Sequence, residues 1–306
     1  MKKIAILLAV QLLVVVGWSL AQGTRPTPPP ISCFHFSEGE SQWSLTGIYM
    51  KMGHDSTTSK GPTAFGFTGD YALSAPSIIP VHAGAILSGS YMKMTIPMNV
   101  ADSTHPADSS KNASANYFGM SLVGVLVPID GEEKDIAGEI IKRKPTLAFF
   151  AGGGMDHFGM NMGPMYESVG LTEDITMSAT TISIPMGMVA ELPLNYQFTL
   201  VPFARLRLST MFMNMKTFGF RYDYSRDTMI YYLTDGEIDP IAYTSFDYGG
   251  DIDLRLFRNS PEWVISAGTV LSQVGGVKSG NLQFTISLKR EIGKHYSSTL
   301  IGPVFH

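Results

Sequence analysis

Between positions 152 and 165 the sequence reads Gly-Gly-Gly-Met-Asp-His-Phe-Gly-Met-Asn-Met-Gly-Pro-Met, bringing Met155, His157, Met160, Met162 and Met165 into one short span. Thioether sulfurs beside an imidazole are soft donors of the kind that hold copper. Met50, Met52, His54, Met92, Met94 and Met98 add to the suggestion. Against it stands the spread of methionine along the chain, 18 residues in all, with Met186, Met188, Met211, Met213 and Met215 far from this segment. An unbranched thioether also fills irregular apolar space, and packing is the stronger reading. In a strand, neighbouring side chains point to opposite faces, so only a loop could gather the five donors. The three glycines do not form a phosphate cradle, because no Lys-Ser or Lys-Thr follows them. They are expected to let a strand bend or leave a sheet.

A second set of polar residues lies inside segments that otherwise read as strands: Lys93, Glu191, Arg205, Arg207, Arg221, Asp223, Asp251, Asp253, Arg255 and Lys289. Of these, Arg205, Arg207, Asp251, Asp253 and Arg255 are the candidates for an enclosed interior. Both signs are present, so they can pair across a narrow space and fill it. The alternative is a charged constriction that selects small solutes. Catalytic signatures are thin. The seven histidines include no HExxH pair, and there is no Gly-x-Ser-x-Gly elbow. The expectation is a protein that is not an enzyme and needs no cofactor.

The elements that must position these charges are strands. From Trp43 onward the chain falls into stretches with period-two alternation, separated by clusters of Gly, Pro, Asn, Asp and Ser. In 64–73, Phe65, Phe67, Tyr71 and Leu73 alternate with Ala64, Gly66, Thr68, Asp70 and Ala72. In 282–289, Leu282, Phe284, Ile286 and Leu288 alternate with Gln283, Thr285, Ser287 and Lys289. A third such stretch is 196–208, where Val201 and Phe203 interrupt the polar side. Further strands are expected at 43–52, 83–98, 115–127, 146–155, 178–191, 243–257 and 262–272. Connections at 192–195 and 259–261 are short; those at 53–63, 99–114, 156–177, 210–242 and 274–280 are assigned to the opposite rim. The segment 129–144 is a charged connection, long for its side. Two β-prone runs within 209–242 are read as a hairpin projecting from the sheet, or, in a competing reading, as two further crossings. The expected fold is thus all-β, a closed antiparallel transmembrane β-barrel of about ten strands, with twelve as the alternative.

The amino-terminal residues carry a different signal. Met1-Lys2-Lys3 precedes an apolar run of about thirteen residues, too short to span a bilayer, and Ser19-Leu20-Ala21 offers small residues for cleavage after Ala21. Residues 1–21 are therefore expected to be a signal peptide, 22–42 a Pro-rich periplasmic leader and 43–306 the barrel with long outer loops. Cys33 is the one cysteine, so no internal disulfide can form. Net charge is −4, which leaves no basic footprint for nucleic acid. Only 16% of residues are charged, and no apolar run of membrane-spanning length follows the leader. A soluble periplasmic sandwich also alternates, but it wants polar residues outside. Small polar faces opposite aromatic ones suit a barrel in lipid better.

On these residues the chain resembles small Gram-negative outer-membrane β-barrel proteins. Ile184-Pro185-Met186-Gly187, Leu200-Val201-Pro202-Phe203 and the stretch from Ser245 to Leu256 carry the likeness, together with the leader and the alternation. The likeness is one of pattern over nearly the whole mature chain, not of a catalytic motif. It implies a location in the bacterial outer membrane, with membrane lipid, lipopolysaccharide and the barrel-insertion machinery as partners, in a monomer. The class pattern ends on an aromatic residue, whereas this chain ends Val304-Phe305-His306. The expected role is structural, or interaction through the outer loops, with a narrow solute channel and copper binding as alternatives.

Overall fold

In the computed structural model, ten strands pair with their neighbours all the way round and close into a barrel. The residues described are 41–52, 63–75, 82–99, 110–129, 131–164, 173–223, 225–226, 228–256, 262–274 and 280–293. The strands are β1 (Ser41–Met52), β2 (Thr63–Ala75), β3 (His82–Asn99), β4 (Ser110–Ile129), β7 (Thr146–Pro164), β8 (Glu173–Pro193), β9 (Phe198–Asp223), β10 (Thr228–Arg255), β11 (Trp263–Val274) and β12 (Gly280–Ile292). Two short strands, β5 (Glu132–Lys134) and β6 (Ile140–Arg143), form a separate hairpin between β4 and β7. Every barrel pairing is antiparallel, and β1 closes the ring against β12 with Ser41 opposite Ile292. Ten strands, not twelve, is the answer to the count. The β-prone runs in 209–242, expected as a hairpin within a long outer loop, are instead the continuous upper halves of β9 and β10, with β8 following β9 as far as Gly219.

The period-two pattern explains why this sheet closes as it does. Leu45, Phe65, Phe67, Leu87, Phe118, Leu122, Ile184, Phe246 and Ile286 lie exposed on the outer surface, while Ser44, Thr46, Thr68, Asp70, Ser245, Asp247, Thr285 and Ser287 are buried inside. Polarity is therefore the reverse of a soluble barrel over most of the wall. The two rims differ as well. The rim that carries Ser41 and Ile292, here the terminal rim, holds the β5–β6 hairpin and the turn at 194–197, where Asn195 Oδ1 accepts from the amides of Gln197 and Phe198 at 2.8 Å each.

At the opposite, distal rim the strands are unequal. β1, β2, β11 and β12 have 12 or 13 residues, whereas β9 has 26 and β10 has 28. The wall from β3 to β10 thus rises above the rest. Much of what reads as outer loop at 99–114 and 156–177 is strand: β4 begins at Ser110, β7 runs on to Pro164 and β8 starts at Glu173.

Gly152 shows what the glycine run contributes. A Cβ there would collide with the backbone of Leu122 and Val123 on β4, whereas a Cβ at Gly153 would meet nothing within 4 Å. The first glycine permits a close approach of two strands; its neighbour faces outward.

Candidate functional site

Inside the barrel, side chains stack in layers along β1 to β4. Nearest the terminal rim, Ala72, Ile86, Val123, Val125 and Phe150 belong to an apolar cluster that reaches Val201, Phe203 and Val270 on the far wall. Nearest the distal rim, Ile48, Met50, Ala64, Met92, Met94, Ala115 and Tyr117 form a second one, with Phe158 and Met160 packed against it. Between the two lies a polar layer: Asp70, Ser88, Ser90, Ser121 and Asp156, facing Arg205 and Arg207 across a cavity of about 30 Å³. That is room for a water or two.

The charges of the polar layer are matched. Arg205 donates from Nε to Asp247 Oδ2 at 2.8 Å, and its Nη2 lies 2.7 Å from the same oxygen. Arg207 donates from Nε to Ser245 Oγ at 3.2 Å, with Nη1 3.7 Å from Asp156 and Nη2 3.9 Å from Asp247. Tyr117 donates to Asp156 Oδ1 at 2.6 Å. Arg207 is 2% exposed and Asp247 0%, so bulk water screens these pairs little. Strand register builds the arrangement: Arg205 sits opposite Asp247, and Arg207 opposite Ser245, across the β9–β10 ladder.

Toward the terminal rim a second set of charges fills the lumen. Arg255 makes a two-pronged pair with Glu291, at 2.9 and 3.1 Å. Lys289 donates to both oxygens of Asp253, at 3.0 and 3.2 Å, and Ser266 donates to the same carboxylate at 2.6 Å. Thr285 donates to Asp251 at 3.2 Å. The β5–β6 hairpin then covers this end. Ile140 is fully buried, and Arg143 donates to Thr199 Oγ1 at 2.9 Å and lies 3.8 Å from Glu191. In the 194–197 turn at this rim, burial pushes the Tyr196 hydroxyl above its ordinary range, with Arg255 and Arg143 acting in the opposite sense.

The structure places Arg205, Arg207, Asp251 and Arg255 buried in the interior, with Asp253 half-buried beside Lys289. They form two networks, not one. Their partners Asp156, Asp247 and Glu291 carry no separate signal in the sequence, because antiparallel register decides who meets whom. The methionine segment is divided by the pleat. Met155 and His157 are exposed on the outer face, where His157 Nδ1 lies 3.2 Å from Thr180 Oγ1. Met160 packs inward with the distal cluster. The Met162 side chain and Met165 lie outside the described residues. Among the described residues, no group of three or more His, Cys, Asp or Glu side chains is placed to hold a metal ion.

No protein-family model matches the chain, and no curated protein matches it. Among solved structures it is similar to the translocator domain of the autotransporter NalP from Neisseria meningitidis, at 13% identity and a TM-score of 0.44, covering 84% of this chain and 89% of that one. It is similar also to the transport unit of the autotransporter AIDA-I from Escherichia coli, at 10% identity and a TM-score of 0.41 over 93% and 97% of the two chains. A third is Ail, the attachment invasion locus protein of Yersinia pestis, at 12% identity and a TM-score of 0.32, over 84% of this chain and all of that one. Scores this low transfer no function, and the closed barrel described above stands on its own strand pairing.

Proposed function

We propose that the chain is a bacterial outer-membrane barrel whose lumen is sealed, and that it works at the cell surface through its tall distal wall. The observation that carries the reading is the inverted polarity: apolar side chains outside, paired charges inside. An Arg or Lys facing lipid at mid-depth costs about 2–4 kcal/mol, whereas a lumen-facing one can be paired. Two levels of aromatic residues on the outer surface support the membrane placement. Toward the terminal rim, Trp43 and Trp263 meet edge to face at 5.7 Å, with the Arg290 guanidinium 5.1 Å from the Trp263 ring. Toward the distal rim, Tyr49 packs on Phe65 at 4.8 Å and Tyr91 on Phe118 at 4.9 Å. Such girdles mark the two interfaces of a membrane barrel.

The sealed lumen is supported by the two apolar layers, the ion-pair networks and the β5–β6 hairpin over the terminal mouth. A narrow channel is the second reading, favoured by the polar cavity beside Arg205 and Arg207. Membrane placement is tested by fractionating cells and running the protein unboiled and boiled. Recovery with outer membranes and faster unboiled migration are expected. Recovery in the soluble periplasm contradicts the proposal.

A further inference from the structure

β10 begins at Thr228, but β11 pairs with it only from Ser245 onward. On its other side β9 follows β10 to the tip, with Asp223 opposite Thr228. Among the described residues, therefore, no strand lies against the second edge of β10 over positions 228–244. Such an edge presents a row of backbone N–H and C=O groups able to pair with another strand.

The edge has two parts of different character. Positions 235–241 contain Asp235, Gly236, Glu237, Asp239 and Pro240, with a shift of register between Ile238 and Ile241. Charge, proline and bulge are the devices that keep strands from adding to an edge. Positions 228–234 read Thr-Met-Ile-Tyr-Tyr-Leu-Thr, without a charge, a glycine or a proline, and rich in strand-forming types. The blocking devices stop short of the tip.

We propose that the edge at 228–234 is a docking site for an extended peptide of another protein, which adds to the sheet as an extra strand and carries Lys or Arg at the end that meets Glu237 and Asp239. Backbone hydrogen bonds supply the affinity in this mode of recognition. Charge selects the partner's end. Asp235 is paired with Lys216 at 3.1 Å, whereas Glu237 and Asp239 are exposed and have no ion-pair partner among the described residues.

A second copy of this chain fits the edge poorly. Two barrels in one membrane point the same way, so a two-fold axis along the membrane normal would bring two β10 strands together in parallel with like residues level. A parallel ladder needs N–H groups level with C=O groups, and that symmetry denies it. The acidic stretches would also face each other.

The docking site rests on the membrane reading above, and the test separates the two. The full-length chain, folded in phosphatidylcholine nanodiscs, is titrated with the synthetic peptide Lys-Lys-Thr-Val-Thr-Val-Thr-Val. Two twins serve as controls, one with alternate amides N-methylated and one with Glu in place of Lys. The expected result is saturable binding that slows amide hydrogen exchange at 228–234 by about tenfold or more, and that weakens about tenfold on N-methylation. Binding should also weaken with the Glu twin, a difference that shrinks in the Glu237→Gln, Asp239→Asn variant.

No binding, equal binding of the N-methylated twin, or protection elsewhere would overturn the docking site. So would a dimer in the peptide-free sample whose protected amides are those of 228–234. A sample that shows the unboiled gel shift yet fails these tests overturns the docking site alone; a sample without the shift overturns both readings.

Discussion

At the scale of single residues, the lumen is held by charges that cannot be removed one at a time. Asp247 is fully buried against two guanidinium groups, Arg205 at 2.7 Å and Arg207 at 3.9 Å. Deleting one partner of a buried pair leaves the other charge uncompensated, at a cost of about 3–5 kcal/mol. Asp247→Ala is expected to lower the unfolding free energy of the detergent-folded barrel by that order, measured in urea; a loss below about 1 kcal/mol would mean that water reaches the site. The sequence makes Arg205, Arg207, Asp251, Asp253 and Arg255 legible, because a charge in the middle of an apolar strand has one tolerable direction to point. Their partners are not legible in the same way. Asp247 and Arg205 are 42 positions apart, and nothing short of the register announces that they meet. Met155, His157 and Met160 illustrate the converse, since adjacency in sequence put them on opposite faces of one wall.

At the scale of elements, Gly152 and Gly153 offer a controlled comparison within one tripeptide. Gly152→Ala pushes a methyl into the backbone of Leu122 and Val123, whereas Gly153→Ala places it in open space on the outer face. The first is expected to reduce the yield of refolded, gel-shifted barrel severalfold and the second to leave it unchanged. Equal yields would show that β4 and β7 can separate at no cost. The β5–β6 hairpin provides a pH test. Lys144, 2.8 Å away, hydrogen-bonds the Glu133 carboxylate and holds its pKa below the usual glutamate range. Because the folded value is depressed, the pair supports the hairpin fully above the ordinary glutamate range and is lost as pH falls through the lowered value. A titration of Glu133 by NMR should move upward in Lys144→Ala; an unchanged midpoint would mean that the pair does not form in solution. Elements were legible where lipid-facing alternation marks them, as in β2 and β12. Toward the distal rim, as over 110–114 in β4, polar residues replace that alternation, and polar strand reads like loop.

At the scale of the whole molecule, the proposed sealed barrel rests on even strand number, reversed polarity and the hairpin at the terminal rim, and on that reading it separates two compartments without joining them. The distal wall adds an exposed sheet to one side of that barrier. The proposed lumen seal draws on the two apolar layers and on two polar devices, the Arg205–Arg207–Asp247 layer and the hairpin whose Arg143 lies beside Thr199 and Glu191. Removing one should leave the other in place. The most direct measurement is conductance of the purified, folded protein in a planar bilayer. The chain as it stands is expected to conduct at the background level, and the Arg205→Ala, Arg207→Ala variant at the same level, because the two apolar layers remain in place. Steady conductance by the unaltered protein, lost when Arg205 and Arg207 become alanine, would contradict the sealed lumen and establish a charged channel in its place.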